Sequence, residues 1–195
     1  MTLSSFITVQ LGFANMSHID IYCDGSIVGV VPTKEPKKKP MFIGYAFSVV
    51  EAIGRTVIAA GRQQIHTTSQ AALAELLAFE NAVTYALFIS NQHQSIHIHT
   101  DCLTIVHTLN TIMQRVAYKT KYPLTEVSNP EVWKRIIKKW ELFECRVAVM
   151  HIRAHMIGPM LHKHHHEVDK VAGRAARNQK IEPVYTSLRP TMISC

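Results

Sequence analysis

No Cys-x-x-Cys pair occurs in this chain, and its 195 residues carry only four cysteines, Cys23, Cys102, Cys145 and Cys195. That usage speaks against a disulfide framework and for a reduced, intracellular protein, cytoplasmic or nuclear rather than secreted. No apolar run reaches the length of a membrane span, so no membrane is expected among its partners. Residues 1–17 contain no Lys or Arg, which a secretory signal would carry at its start. Charged residues make up 18% of the chain against 47% hydrophobic, which excludes a disordered chain. Acidic residues are scarcer than basic ones, 14 Asp plus Glu against 21 Lys plus Arg, for a net charge of +7. An excess of base calls for an anionic partner, and nucleic acid fits best.

What is present starts with Ile19 to Ser26, Ile-Asp-Ile-Tyr-Cys-Asp-Gly-Ser. It predicts a strand whose end presents Asp24, followed at once by a glycine turn. Met41 to Val50 and Arg55 to Gln64 predict two more strands, antiparallel to the first and to each other. Pro32, Pro36, Pro40 and Lys37-Lys38-Lys39 predict an exposed loop between the first two. Ser69 is a candidate cap for a helix that carries Glu75 among Leu73, Leu76, Leu77, Phe79, Val83, Leu87 and Phe88. A glutamate in such apolar company needs a partner, and a metal would serve. Ile96 to Asp101 predicts a fourth strand, with His97 and His99 on one face; a polar strand face is preferred there over a zinc pair. Thr104 to Met113 predicts a helix, and Pro130 to Phe143 another, with Asn129 as its cap. Cys145 to Ile152 predicts the fifth strand, and His166 to Ala176 a last helix carrying Asp169. Five strands and crossing helices in this order predict an α/β fold, a mixed sheet with helices on both faces.

Short motifs at these positions, Tyr22-Cys-Asp-Gly-Ser, Ala74-Glu-Leu, His99-Thr-Asp-Cys, Ile152-Arg-Ala-His and Val168-Asp-Lys-Val-Ala, resemble those of type 1 ribonuclease H in order and spacing. The resemblance covers roughly residues 18 to 178. It implies the ribonuclease H-like sheet, three antiparallel strands then parallel ones. It divides the chain into an extension (1–17), a catalytic domain (18–180) and a tail (181–195). It also implies that Asp24, Glu75, Asp101 and Asp169 hold two Mg²⁺ ions, with Mn²⁺ able to substitute. Asp24 would bridge both ions, Glu75 and Asp101 would hold one side, and Asp169 would complete the other. Two such ions about 3.5–4 Å apart can activate water, neutralise the phosphorane and assist the leaving oxygen.

His155 matches the family's loop histidine, which assists proton transfer and product release. Met156 to Val168 reads as a mobile basic loop, longer than usual for the family. Its His162, His164, His165 and His166 are alternative bearers of that duty, or adventitious ligands for Zn²⁺ or Ni²⁺. Ser69 and Gln70 are candidate partners for 2′-hydroxyls or the DNA strand. Arg115, Lys119 and Lys121, interleaved with Tyr118 and Tyr122, are candidate contacts to the duplex backbone. Ile27 and Leu103 stand where strand-selective members commonly carry small or polar residues.

The expected function is hydrolysis of the RNA strand of RNA–DNA hybrids by a monomeric endonuclease, with no protein partner implied. Two alternatives stay open. One is a non-cleaving nucleic-acid-binding module on the same fold. The other is a DNA-directed nuclease of the integrase or resolvase kind.

Overall fold

The computed structural model describes residues 18–28, 41–50, 56–65, 71–93, 95–117, 124, 127–153 and 161–179. These residues form five strands: β1 (His18–Val28), β2 (Met41–Val50), β3 (Thr56–Ile65), β4 (Ser95–Thr100) and β5 (Arg146–His151). Four α-helices accompany them: α1 (Ala71–Ile89), α2 (Leu103–Ala117), α3 (Pro130–Trp140) and α4 (Leu161–Ala176). The strands lie in the order β3-β2-β1-β4-β5. β1, β2 and β3 are antiparallel neighbours, while β4 pairs parallel to β1 and β5 parallel to β4. Parallel neighbours need crossovers, and α1 crosses from β3 to β4 while α2 and α3 cross from β4 to β5.

Side-chain alternation along β1 feeds two cores. Ile19, Ile21 and Cys23 face a layer built by α1, α2 and α3, where Phe79, Val83, Ile105, Leu109, Ile112, Trp133 and Ile136 are buried. Tyr22 faces the other way, against Val168 and Ala172 of α4, with Ala46 and Ile152. Helices therefore cover both faces of the sheet. Glu80, buried on α1, takes Arg135 Nε at 2.8 Å, Arg135 Nη2 at 2.7 Å and Lys139 Nζ at 2.8 Å from α3. Its carboxyl lies below the ordinary range: burial alone would raise it, and these cations outweigh burial. On the opposite face Arg62 Nε donates to the Ala176 carbonyl at 3.1 Å, which satisfies one of the last acceptors of α4 and ties it to β3.

The structure departs from the sequence expectations at several points. β1 does not end at Asp24: Asp24, Gly25 and Ser26 pair with Ala46, Tyr45 and Gly44 of β2, and the strand runs to Val28. Gly25 serves close approach rather than a turn. A Cβ there would lie 2.4 Å from the Ala74 carbonyl carbon and the Glu75 nitrogen. Gly44 has the same office toward α4, since a Cβ would lie 2.0 Å from the Ala172 oxygen. The Met156 to Val168 loop is in part helix, because α4 starts at Leu161. Asn129 sits at the N-cap of α3 in a left-handed conformation (φ 59°) and makes no side-chain cap bond; its carbonyl accepts from Val132 N at 3.0 Å. Phe88 is 73% exposed instead of joining the core face of α1. Residues Ala72–Gln92 are long and apolar enough to cross a membrane by length and composition, contrary to the sequence reading. That apolarity has a local cause, since α1 is wedged between β1, β2 and α3 and 56% of the most apolar 18-residue stretch is buried.

Candidate active site

Asp24 on β1, Glu75 on α1, Asp101 just after β4 and Asp169 on α4 come near one another past the end of the β1–β4 ladder, with α1 and α4 reaching it from opposite faces of the sheet. The β1–β4 ladder ends at Tyr22–His99, and Asp24 lies two residues beyond it on β1. Asp101 follows β4 directly, before α2 begins at Leu103. The Gly25 amide donates to both Asp24 Oδ1 at 2.7 Å and Glu75 Oε2 at 3.1 Å, so one backbone N–H holds two carboxylates together. Asp24 is 5% exposed. Glu75 and Asp169 are half-buried. The Asp169 charge is felt at Asp24, Glu75 and the nearby His165.

The density of negative charge sets the electrostatics. Burial, and then the charge of Glu75, push the Asp24 carboxyl well above the ordinary carboxylate range. Burial and the charge of Asp101 push Glu75 up as well, against the hydrogen bond from the Gly25 amide. Two buried carboxyls held apart from water resist being charged together. Cys23 and Cys102, next in sequence to Asp24 and Asp101, are pushed up too, by burial and by these same acids, and remain thiols.

Of the four loop histidines offered as alternative bearers of the assisting duty, His165 lies against the carboxylates. Its Nε2 lies 3.4 Å from Asp101 Oδ2 and 4.0 Å from Asp24 Oδ2, with the ring buried. It precedes Asp169 by four positions, hence one turn of α4, which aims both at the same place. Burial would lower its basicity, but the bond to Asp101 and the charge of Asp24 raise it above the ordinary imidazole value. In return the His165 bond holds Asp101 below the usual range. Protonated, His165 places a positive charge where carboxylates crowd. The available signal was the i, i+4 spacing of His165 and Asp169, hidden because the helix start was placed at His166.

Donor atoms of Asp24, Asp101 and His165 all lie within 4.8 Å of one another. Hard carboxylate oxygens suit Mg²⁺ or Mn²⁺. A divalent cation would offset the burial and the mutual repulsion that push Asp24 and Glu75 up, so the donor set fits such an ion. His155, Ser69, Gln70, Lys119 and Lys121 lie outside the described residues. Arg115 is exposed in the last turn of α2. Leu103 is 48% exposed at the start of that helix, while Ile27 packs against the core.

The RNase H family model matches residues 16–177. The chain belongs to the RNase H family. It is type 1 RNase H-like in its five-stranded mixed sheet and helix placement. The prototype foamy virus RNase H domain is similar at a TM-score of 0.63 and 16% identity, covering 85% of this chain and 98% of that one. The foamy viral protease–reverse transcriptase in complex with an RNA/DNA hybrid is similar at a TM-score of 0.61 and 16% identity, covering 90% of this chain and 22% of that one. This RNase H-like chain thus spans about a fifth of that viral protein and nearly all of its isolated RNase H domain. LC9-RNase H1, a type 1 RNase H with the type 2 active-site motif, is similar at a TM-score of 0.56 and 15% identity, over 86% of this chain and 75% of that one. At such identities the likenesses speak to the fold. No curated protein matches the sequence.

Proposed function

We propose that this RNase H family member is an endonuclease that hydrolyses the RNA strand of RNA–DNA hybrids with two divalent ions, Mg²⁺ or Mn²⁺. The observation that carries the reading is the sharing of the Gly25 amide by Asp24 and Glu75, with Asp101 bridged to Asp24 through His165. Asp24, Glu75, Asp101 and Asp169 would hold the ions. Bound there, the ions supply water activation and charge neutralisation at the scissile phosphate. The chain's own residues do the rest. Gly25 fixes the Asp24 and Glu75 oxygens, the β1 and β4 backbones fix the spacing of Asp24 and Asp101, and His165 orients the Asp101 carboxylate.

Family membership supports nuclease chemistry, and a fold neighbour in complex with an RNA/DNA hybrid supports the substrate. The net charge of +7 supports an anionic partner. Free Cys23, Cys102 and Cys145 support action in a reduced, intracellular compartment, and we read the protein as a monomer. The test is a labelled RNA–DNA hybrid incubated with Mg²⁺. The protein should shorten the RNA, and Asp24→Asn or Asp101→Asn should lower the rate by roughly 10³-fold or more while hybrid binding persists. Binding without cleavage by the unaltered protein would turn the reading to a non-cleaving module, and equal cleavage of a matched DNA duplex to a DNA-directed nuclease.

A further inference from the structure

A second cluster of ligating side chains sits lower on the same two strands, and shares no residue with the first. We propose that His18, Asp20 and His97 form a binding site for one Zn²⁺ ion that clasps β1 to β4. His18 and Asp20 lie on one face of β1, and His97 lies on β4 directly across from Asp20 in the parallel register. His18 Nε2 is 3.1 Å from Asp20 Oδ1, and His97 Nδ1 is 3.9 Å from the same oxygen. The two imidazoles meet edge to face with centroids 4.1 Å apart. No two of the three donor atoms are more than 4.8 Å apart. Tetrahedral zinc with bonds of about 2.0–2.1 Å wants donors roughly 3.3–3.5 Å from one another, so small side-chain rotations suffice.

The surroundings are those of a ligand set rather than of three stray polar residues. His18 Nδ1 lies 3.2 Å from Ser95 Oγ, so its other nitrogen can face an ion while Nδ1–H donates to the serine. Asp20 Oδ1 also takes His99 Nε2 at 2.7 Å, and His99 is itself fixed by stacking on Tyr22 with centroids 4.6 Å apart. Ligating imidazoles and carboxylates are characteristically oriented by such outer partners. Side-chain exposures of 43%, 30% and 33% for His18, Asp20 and His97 leave room for a water as fourth ligand. Two imidazoles and one carboxylate favour zinc over Mg²⁺, which prefers oxygen alone. Asp20 is four residues before Asp24, roughly 13 Å along the strand. The clasp would thus act on the strands that lead to Asp24 and Asp101 without touching either.

The test uses the full chain, with Zn²⁺ as the probe, and the double variant Asp24→Asn/Asp101→Asn to silence the carboxylate site. That variant should still bind one Zn²⁺ by calorimetry and unfold at higher temperature with Zn²⁺ than without. Imidazole ¹⁵N spectra should move at His18 Nε2 and His97 Nδ1. Adding His18→Gln or His97→Gln should weaken binding at least tenfold and abolish the thermal shift. His18 is at the exposed start of β1, so its variant keeps the test available even if the His97 variant misfolds. Unchanged Zn²⁺ affinity in the His18→Gln protein, or spectral changes confined to the α4 histidines, would overturn the proposal.

Discussion

His165 and Asp169 share one face of α4, and the imidazole lies against two carboxylates that would otherwise repel each other without relief. Its folded value is raised above the ordinary 6.5. Its stabilising contribution is therefore fully present below that value and fades as pH rises through the raised one. His165→Gln should cost the ion-free protein about 1.5–3 kcal/mol, the range for a hydrogen bond to a charged group. Saturating Mg²⁺ should shrink the deficit, because the cation does the same electrostatic work. Thermal unfolding with and without Mg²⁺ reads both numbers, and an equal deficit in the two conditions would reduce His165 to a packing residue. Residue by residue, the proximity of Asp24, Glu75, Asp101 and Asp169 was legible because each stands in a short motif of fixed order. His165 was not, because Met156-Ile-Gly-Pro-Met gives no helix-start signal and neighbouring histidines look alike in a string. His97 and His99 were legible as one polar face, but their company in His18 and Asp20 depends on parallel pairing across 77 residues or so of chain, which alternation within one strand cannot reveal.

Elements were easier to read than their ends. β2 falls at Met41–Val50 as expected, and the core faces of α2 and α3 hold Ile105, Leu109, Ile112, Trp133 and Ile136. Periodicity carries that information because burial selects one face. Gly25 was misread because a glycine after an aspartate signals a turn in local terms, whereas here its missing Cβ admits a helix. Gly25→Ala should drive α1 away from β1 and separate Glu75 from Asp24. Denaturant unfolding should show a loss of about 1–3 kcal/mol, typical of overpacking. Mg²⁺-dependent cleavage should fall with it, whereas a stable, fully active variant would contradict the close approach of β1 and α1.

Across the whole molecule, the two layers over the sheet are held by different means. The α1–α3 side is apolar but pinned by Glu80 to Arg135 and Lys139. Glu80 is held below its ordinary value, so its contribution is present above the usual glutamate range and is lost as pH falls through the lowered one. Glu80→Gln should cost about 1–2 kcal/mol at neutral pH, discounted because Arg135 is 51% exposed. It should also flatten the acid limb of stability against pH, measured by urea unfolding from pH 7 to 3. A parallel acid limb in both proteins would dismiss the role given to this cluster. The mixed sheet with helices on both faces was legible from element order, since connection rules leave few arrangements, and the parallel placing of its last strands from the family resemblance. The fork between neighbouring strands was not: the β1–β4 ladder closes at Tyr22–His99, while β1 and β2 run on together to Val28–Phe42. Asp24 and Asp101 stand one on each lip, each two residues past the last rung, so no β1–β4 hydrogen bond occupies the place where a ligand would meet both carboxylates.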